Sequence, residues 1–250
     1  STGWVPSFEL RDIELQDALG RPALRLPKVQ VALSLHSALL GQLDQLVLDA
    51  PELTLRLLAD GRWQMAGFDW RSSAGGDSPA ADWLLSQSEV VVRGAQVHWH
   101  GPDSSLLTHV DLPNASPERL TLRDVDLVIR NSARQHALRL DATPPPSWGD
   151  RFVMMGQFKR SLLSLHPGRL TDWSGQTFAH FPHLDIASWS AQGLPRPLHW
   201  ATESGILQGQ GRLRLWADVQ HAQWRGGLAE MDLKNLQLQR HPKQPPLNLQ

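Results

Sequence analysis

The sequence predicts a mostly β protein, on three observations. Apolar residues alternate along short runs: at Val29, Val31, Leu33 and Leu35, at Leu53, Leu55 and Leu57, and in RLRLW over 212–216. The 18 prolines and 19 glycines fall largely between such runs, where a chain must turn. Long amphipathic helical periods are nearly missing, so the run-and-turn rules give about 12 to 14 strands.

The elements follow in order. FELRDIEL (8–15), the alternating run from Val29, and LVLDAPEL (46–53) read as the first strands. Ala59-Asp60-Gly61-Arg62 reads as a hairpin turn between LTLRLL and WQMAGF. SPAADWLLSQ (78–87) reads as a short helix, with Ser78 at a plausible N-cap and Pro79 just inside it. VVVRGAQVHW and LTLRDVDL continue the strand pattern. ATPPPSWGD (142–150) is a rigid loop and the best internal boundary, yet the pattern resumes at once in RFVMMGQF, so residues 1–250 are expected to form one continuous segment. HLDIASWSA (183–191) reads as a second short helix, and MDLKNLQL (231–238) as a late strand.

One eight-residue figure recurs at unequal intervals: FELRDIEL, VVVRGAQV, LTLRDVDL and MDLKNLQL, with LVLDAPEL as a degraded copy. Its apolar positions stand at i, i+2, i+5 and i+7. A helix would scatter them, and a regular strand would send the two halves to opposite faces. One inserted residue restores a common face, which is what a β-bulge does. A tight hairpin would do the same, but Arg-Asp is a poor primed-turn pair beside Asn-Gly. The figure therefore predicts bent strands with one apolar and one polar face. Such faces can meet in a closed barrel or sandwich, or line an open groove; the pattern alone separates neither.

A net charge of -1 excludes a global basic field for nucleic acid. Cys is absent, so there is no disulfide framework, thiolate nucleophile or thiolate metal site. The opening STGWVPSF has neither Met nor a signal peptide, and no apolar run approaches the roughly 20 residues of a membrane span, so the chain reads as a piece of something longer.

No P-loop, dinucleotide, nucleophile-elbow or zinc-protease pattern occurs. His98 and His100 share a strand face, with His109 possible opposite them, but a third metal ligand is not identifiable and no metal is expected. Carboxylates are scattered without an acid/base pair, so the expectation is no enzyme and no cofactor. Asp12 and Asp124, inside the repeated figure, are expected to bond local backbone. Trp63, Trp70, Trp99, Trp148 and Trp216 have rings that stack on sugars, but Trp at strand positions more commonly packs the sheet.

Five stretches together resemble the N-terminal part of the AsmA-like proteins, in their YhdP branch, in the expected order and over nearly the whole chain. They are residues 8–68 from FELRDIEL to WQMAGF, WLLSQSEVVVRGAQVHW, the run from LTLRDVDLVIR to DRFVMMGQF, WSGQTFAHFPHLDIASW, and GQGRLRLWADV. The resemblance implies a long periplasmic protein of a Gram-negative bacterium, held in the inner membrane by a helix absent from this chain. It further implies a long, twisted antiparallel sheet curved into an open groove, or half-pipe, with an apolar inside that carries phospholipid between inner and outer membranes. It brings no catalytic set. The implied partners are phospholipid, the rest of the chain, and inner- and outer-membrane proteins.

Burying an acyl chain contributes about 0.8 kcal/mol per CH2, so two chains of about 16 carbons are worth on the order of 25 kcal/mol. Transfer therefore needs a continuous apolar surface, and a dozen strands about 4.8 Å apart supply roughly 60 Å of it. On this reading the groove is lined by Val90, Val92, Val97, Trp99, Leu122, Val125, Leu127 and Ile129. The alternative is a structural or assembly module that binds protein partners through sheet edges or loops.

Overall fold

The computed structural model describes residues 6–17, 20–34, 39, 41–57, 63–65, 68–70, 79–100, 120–160, 169, 172–186, 188, 206–221, 223–238 and 247–249. Six strands come first: β1 (Ser7–Gln16), β2 (Pro22–Ala32), β3 (Gln45–Asp49), β4 (Glu52–Leu57), β5 (Trp63–Met65) and β6 (Phe68–Trp70). Helix α1 (Pro79–Ser86) precedes β7 (Glu89–His100), β8 (Leu120–Asn131), β9 (Gln135–Thr143) and β10 (Phe152–Arg160). The chain continues through β11 (Trp173–Asp185), β12 (Ile206–Gln220), β13 (Gln223–Leu238) and β14 (Leu247–Leu249).

All fourteen described strands form one sheet. From β14 down to β7 they lie side by side in sequence order, followed by β3, β2, β4, β5 and β6, with β1 along the remaining side of β2. The two ends of this order do not pair, so the sheet is open and is not a barrel. The described residues supply no second sheet, which sets aside the sandwich.

The expectation of a wholly antiparallel sheet is corrected at one junction, where β7 runs parallel to β3 and β4. The hairpins β4–β5 and β5–β6 are antiparallel, and α1 then brings the chain back before β7. A parallel pair requires such a crossover. The turn expected at 59–62 lies outside the described residues, although its flanks Leu57 and Trp63 pair.

The helix expected over 78–87 spans Pro79–Ser86, and its expected cap Ser78 lies outside the described residues. The helix expected from His183 is displaced. His183, Leu184 and Asp185 finish β11, because Leu184 and Asp185 are held extended against Gly211 and Gln210. Helical backbone starts at Ile186, and Asp185 Oδ1 caps it by accepting the Ser188 amide at 2.9 Å. The Pro-rich tract joins β9 to β10, which pair along their length. It is sewn to β11: the Asp150 amide donates to His183 O at 3.2 Å and the Asp185 amide to Trp148 O at 2.9 Å.

The repeated figure becomes a crease. At its fifth position every copy turns left-handed, with φ of 54° at Asp12, 50° at Ala50, 60° at Gly94, 48° at Asp124 and 54° at Asn235. That conformation costs an ordinary L residue about 1–2 kcal/mol, which Gly escapes and Asp or Asn tolerate. The letters D, G and N at this position follow. LVLDAPEL, degraded by its letters, keeps the geometry through Ala50.

Three copies are bulges as expected. Arg93 and Gly94 oppose Asp126 alone, and Arg123 and Asp124 oppose Gln96 alone. Asn235 and Leu236 likewise oppose Gly209 alone. At Asp12 and Ala50 no residue is inserted: both face Pro27, and the pairing runs unshifted on either side. Pro27 donates nothing to a ladder, so a bend already interrupting both neighbours is where a central strand accommodates it.

The bends line up. Asp12, Pro27, Ala50, Gly94 and Asp124 are lateral neighbours from β1 to β8. Farther along, Pro182 and His183 on β11 oppose Arg212 alone, and the Asn235 bulge on β13 is offset by three residues from Asp232, the partner of Arg212. The sheet is folded along a line that crosses its strands, so the groove runs from strand to strand.

Candidate functional site

Because each bend restores the side-chain phase, Leu120, Leu122, Val125, Leu127 and Ile129 all stand on one face of β8. The same holds across the sheet. Deep in the crease, Ala95, Val125, Ala142, Phe152, Ala179, Phe181, Leu184, Ile186 and Leu213 form one buried cluster. Phe152 and Phe181 stack there with ring centroids 5.0 Å apart. A second cluster gathers Val29, Leu46, Val90 and Ile129.

Seven of the eight residues expected to line a groove fall in or against these clusters. Val125 belongs to the first, with Val92, Val97 and Leu122 packed on it. Val90 and Ile129 belong to the second, with Leu127 against it. Trp99 is half-buried at the far end of β7, opposite Leu120, in neither cluster.

Sequence reasoning missed the β10 to β12 part of this face. A signal existed. AHFPHLDI (179–186) and LRLPKVQV (24–31) carry the same i, i+2, i+5, i+7 spacing, with Pro in place of the basic residue. They supply Ala179, Phe181, Leu184 and Ile186 to the first cluster, and Val29, with Leu26 and Val31, to the second.

The face is deep in the middle and unroofed toward both ends. Phe8, Leu10 and Leu15 on β1, Met154 on β10, and Trp224 and Met231 on β13 share its registers. They remain 38% to 59% exposed. The opposite face is charged. Arg11 meets Glu9 at 2.6 Å, Arg130 meets Glu89 at 2.8 Å and Arg139 meets Asp141 at 2.7 Å. Hydrogen bonds from these guanidinium groups, foremost, hold the three carboxyls below their ordinary range.

Helix α1 closes over part of the second cluster through Leu84 and Leu85. A polar latch fixes it. Buried Gln87 accepts the Leu43 amide at Oε1, 2.6 Å away, and donates to Trp83 O. Asn131 spends both Nδ2 hydrogens on Leu85 O and Gln87 O, at 2.7 and 2.6 Å. Its Oδ1 must therefore accept from His136 Nδ1, 2.9 Å away, which sets the imidazole as the Nδ1–H tautomer. His136 is stacked on Trp173 at 3.8 Å. Burial, reinforced by the Arg160 charge, lowers its pKa from 6.5 to about 4.

The expectation for Asp12 and Asp124 is corrected: neither carboxylate bonds local backbone, and both residues serve by tolerating the left-handed conformation. The acceptor is Asp126, whose Oδ1 takes the Gly94 amide at 2.9 Å and whose Oδ2 pairs with Arg151 at 2.7 Å. His98 and His100 lie on the outer face, and His98 Nδ1 meets Thr121 Oγ1 at 3.0 Å; His109 lies outside the described residues. Among the described residues no three His, Asp or Glu gather as metal ligands. Trp148 is buried and Trp216 is exposed on the outer face, whereas the side chains of Trp63 and Trp70 lie outside the described residues.

An open sheet, creased across its strands, with an apolar inner face and a charged outer face, defines the class as a β-groove protein. The chain belongs to the YhdP family, since the family model described as YhdP protein matches residues 2–250. No curated protein and no solved structure matches it.

Proposed function

We propose that this chain is a segment of a lipid-transfer bridge whose apolar groove carries phospholipid acyl chains between the inner and outer membranes. The observation carrying this reading is that apolar side chains on the inner face stay exposed at separate points along the sheet, Leu10 on β1, Met154 on β10 and Met231 on β13, around a buried apolar floor. A closed core would have covered them. Each acyl CH2 laid against such a surface is worth about 0.8 kcal/mol, so a continuous face lets a lipid move without entering water. Among the described residues the clusters of this face are apolar, which suits passage over capture. Family membership supports the further placement: the periplasm of a Gram-negative bacterium, attachment to the inner membrane through a segment outside these residues, and a non-catalytic role.

The test is native mass spectrometry of purified protein for retained phospholipid. Met154→Glu and Met231→Glu place a charge on the inner face at positions exposed enough to spare the fold, and retention is expected to fall at least fivefold. Gln16→Glu on the exposed first strand is expected to retain lipid as the wild type does. Equal retention by all these proteins, or none in the wild type after exposure to phospholipid vesicles, defeats the proposal.

A further inference from the structure

The outer face carries a feature that a lipid groove does not use. Directly opposed residues on four successive strands, Met155, Phe178, Trp216 and Leu228, form one apolar row across β10 to β13. Alternation sets this row opposite the inner face, since Ala179 and Ala217, the next residues along, are buried in it. Met155, Trp216 and Leu228 are 37%, 38% and 66% exposed. The Phe178 and Trp216 rings lie 5.2 Å apart at 46°, forming a stepped aromatic platform.

On β11 to β13 the row is a single residue wide, and on β10 the half-buried Val153, two residues from Met155 on the same face, widens it. On one side run His180, Arg214 and Glu230, with Arg214 and Glu230 paired at 3.2 Å. On the other run Gln157, Gln176 and Asp218, with Gln176 Nε2 donating to Asp218 Oδ1 at 3.1 Å. Phe178, Trp216 and Met155 also line a shallow depression of about 910 Å3 whose rim includes Gln157, Gln176 and Lys159. Its volume is toward the upper end for small-ligand sites.

We infer that this row is a binding platform for a pyranose glycan chain lying across the strands. A pyranose ring has one apolar C–H face and a rim of hydroxyls, and the row offers an aromatic strip flanked on both sides by amides and paired charges. The strip is too narrow for the apolar face of a helix, and from β11 to β13 acyl chains would meet polar side chains within two residues on either side. Beside the row Arg214 is offset by Glu230 and Lys159 by Asp218, and Arg130, which also lines the depression, is paired with Glu89, so a neutral ligand is favoured over a polyanion or a basic peptide. The strands step by about 4.8 Å, close to the length of one sugar unit, so successive rings can meet successive side chains. Trp216 suits the task because its ring is apolar while its edge stays wet.

The experiment is calorimetric titration of the intact protein with hexamers of β-1,4-linked N-acetylglucosamine and of β-1,4-linked glucose. Binding to at least one hexamer is expected, weakened at least tenfold by Trp216→Ala and largely restored in Trp216→Phe. Trp216 is exposed, so neither variant should disturb folding, which circular dichroism checks. Leu228→Ser tests the end of the row with an expected threefold to tenfold loss. No binding of either hexamer at millimolar concentration overturns the inference. Binding unaffected by Trp216→Ala does so too, as does a photo-crosslinker at residue 216 that captures only protein in the presence of the hexamers.

Discussion

Gly94 and Asp124 carry opposed bulges on adjacent strands, and the two inserted residues cancel. Val92 pairs with Leu127 before the bend and Val97 with Leu122 after it, five residues on along each strand. The ladder therefore leaves the crease in the register in which it entered. Both left-handed residues bend the sheet without turning its apolar side chains outward.

This relationship makes backbone conformation the sensitive quantity. A Cβ at Gly94 would meet nothing within 4 Å, so any cost of Gly94→Ala is conformational. It should destabilise by about 1–2 kcal/mol in urea unfolding. Asp124→Gly should stay within about 0.5 kcal/mol of neutral, because relief of the left-handed conformation offsets the looser unfolded chain. A neutral Gly94→Ala would mean that the crease is not strained there.

The inner face should divide into a structural floor and replaceable margins. Phe152 is buried and stacked on Phe181, so Phe152→Ala should cost about 3–5 kcal/mol. Met154, two residues on along the same face but 38% exposed, should lose less than about 1 kcal/mol on truncation to Ala. Thermal or denaturant unfolding of the pair gives the comparison, and similar losses would show that the face is roofed throughout.

The latch predicts local opening. Asn131→Ala strips partners from Leu85 O, Gln87 O and His136 Nδ1, and each unsatisfied buried group costs about 1–3 kcal/mol. Amide hydrogen exchange over residues 79–86 should accelerate more than in β9 or β10. Uniform acceleration across all strands would instead place Asn131 in the global core.

His136 predicts a pH dependence. Its folded pKa, about 4, lies below the ordinary 6.5, so the unfolded chain binds the extra proton between those values. Its contribution is complete above about pH 6.5 and is lost as the pH falls toward 4. The melting temperature should therefore drop between pH 7 and pH 4.5, and His136→Phe should flatten that drop. Identical slopes for the two proteins would assign the acid sensitivity to other groups.

Much of the architecture was legible in the letters. Alternation marked the strands, and the recurring spacing at 120–127 and its relatives marked bends that keep one face apolar, because side-chain phase along a strand is a local property. The D, G or N of the fifth position was a signal of left-handed backbone that went unread, since Asp12 and Asp124 were expected to bond local backbone instead. The copies with Pro, LRLPKVQV and AHFPHLDI, escaped notice because their letters differ while their spacing does not.

The sequence by itself determined a one-sided, bent β-chain. Only the tertiary structure decided that the sheet stays open, that the bends of separate strands fall on one line, and that β7 lies parallel to β3 and β4. It also aligned Met155, Phe178, Trp216 and Leu228, drawn from four strands, on the outer face. These are matters of register between segments far apart in the chain, and register depends on which strands meet and where their hydrogen bonds begin.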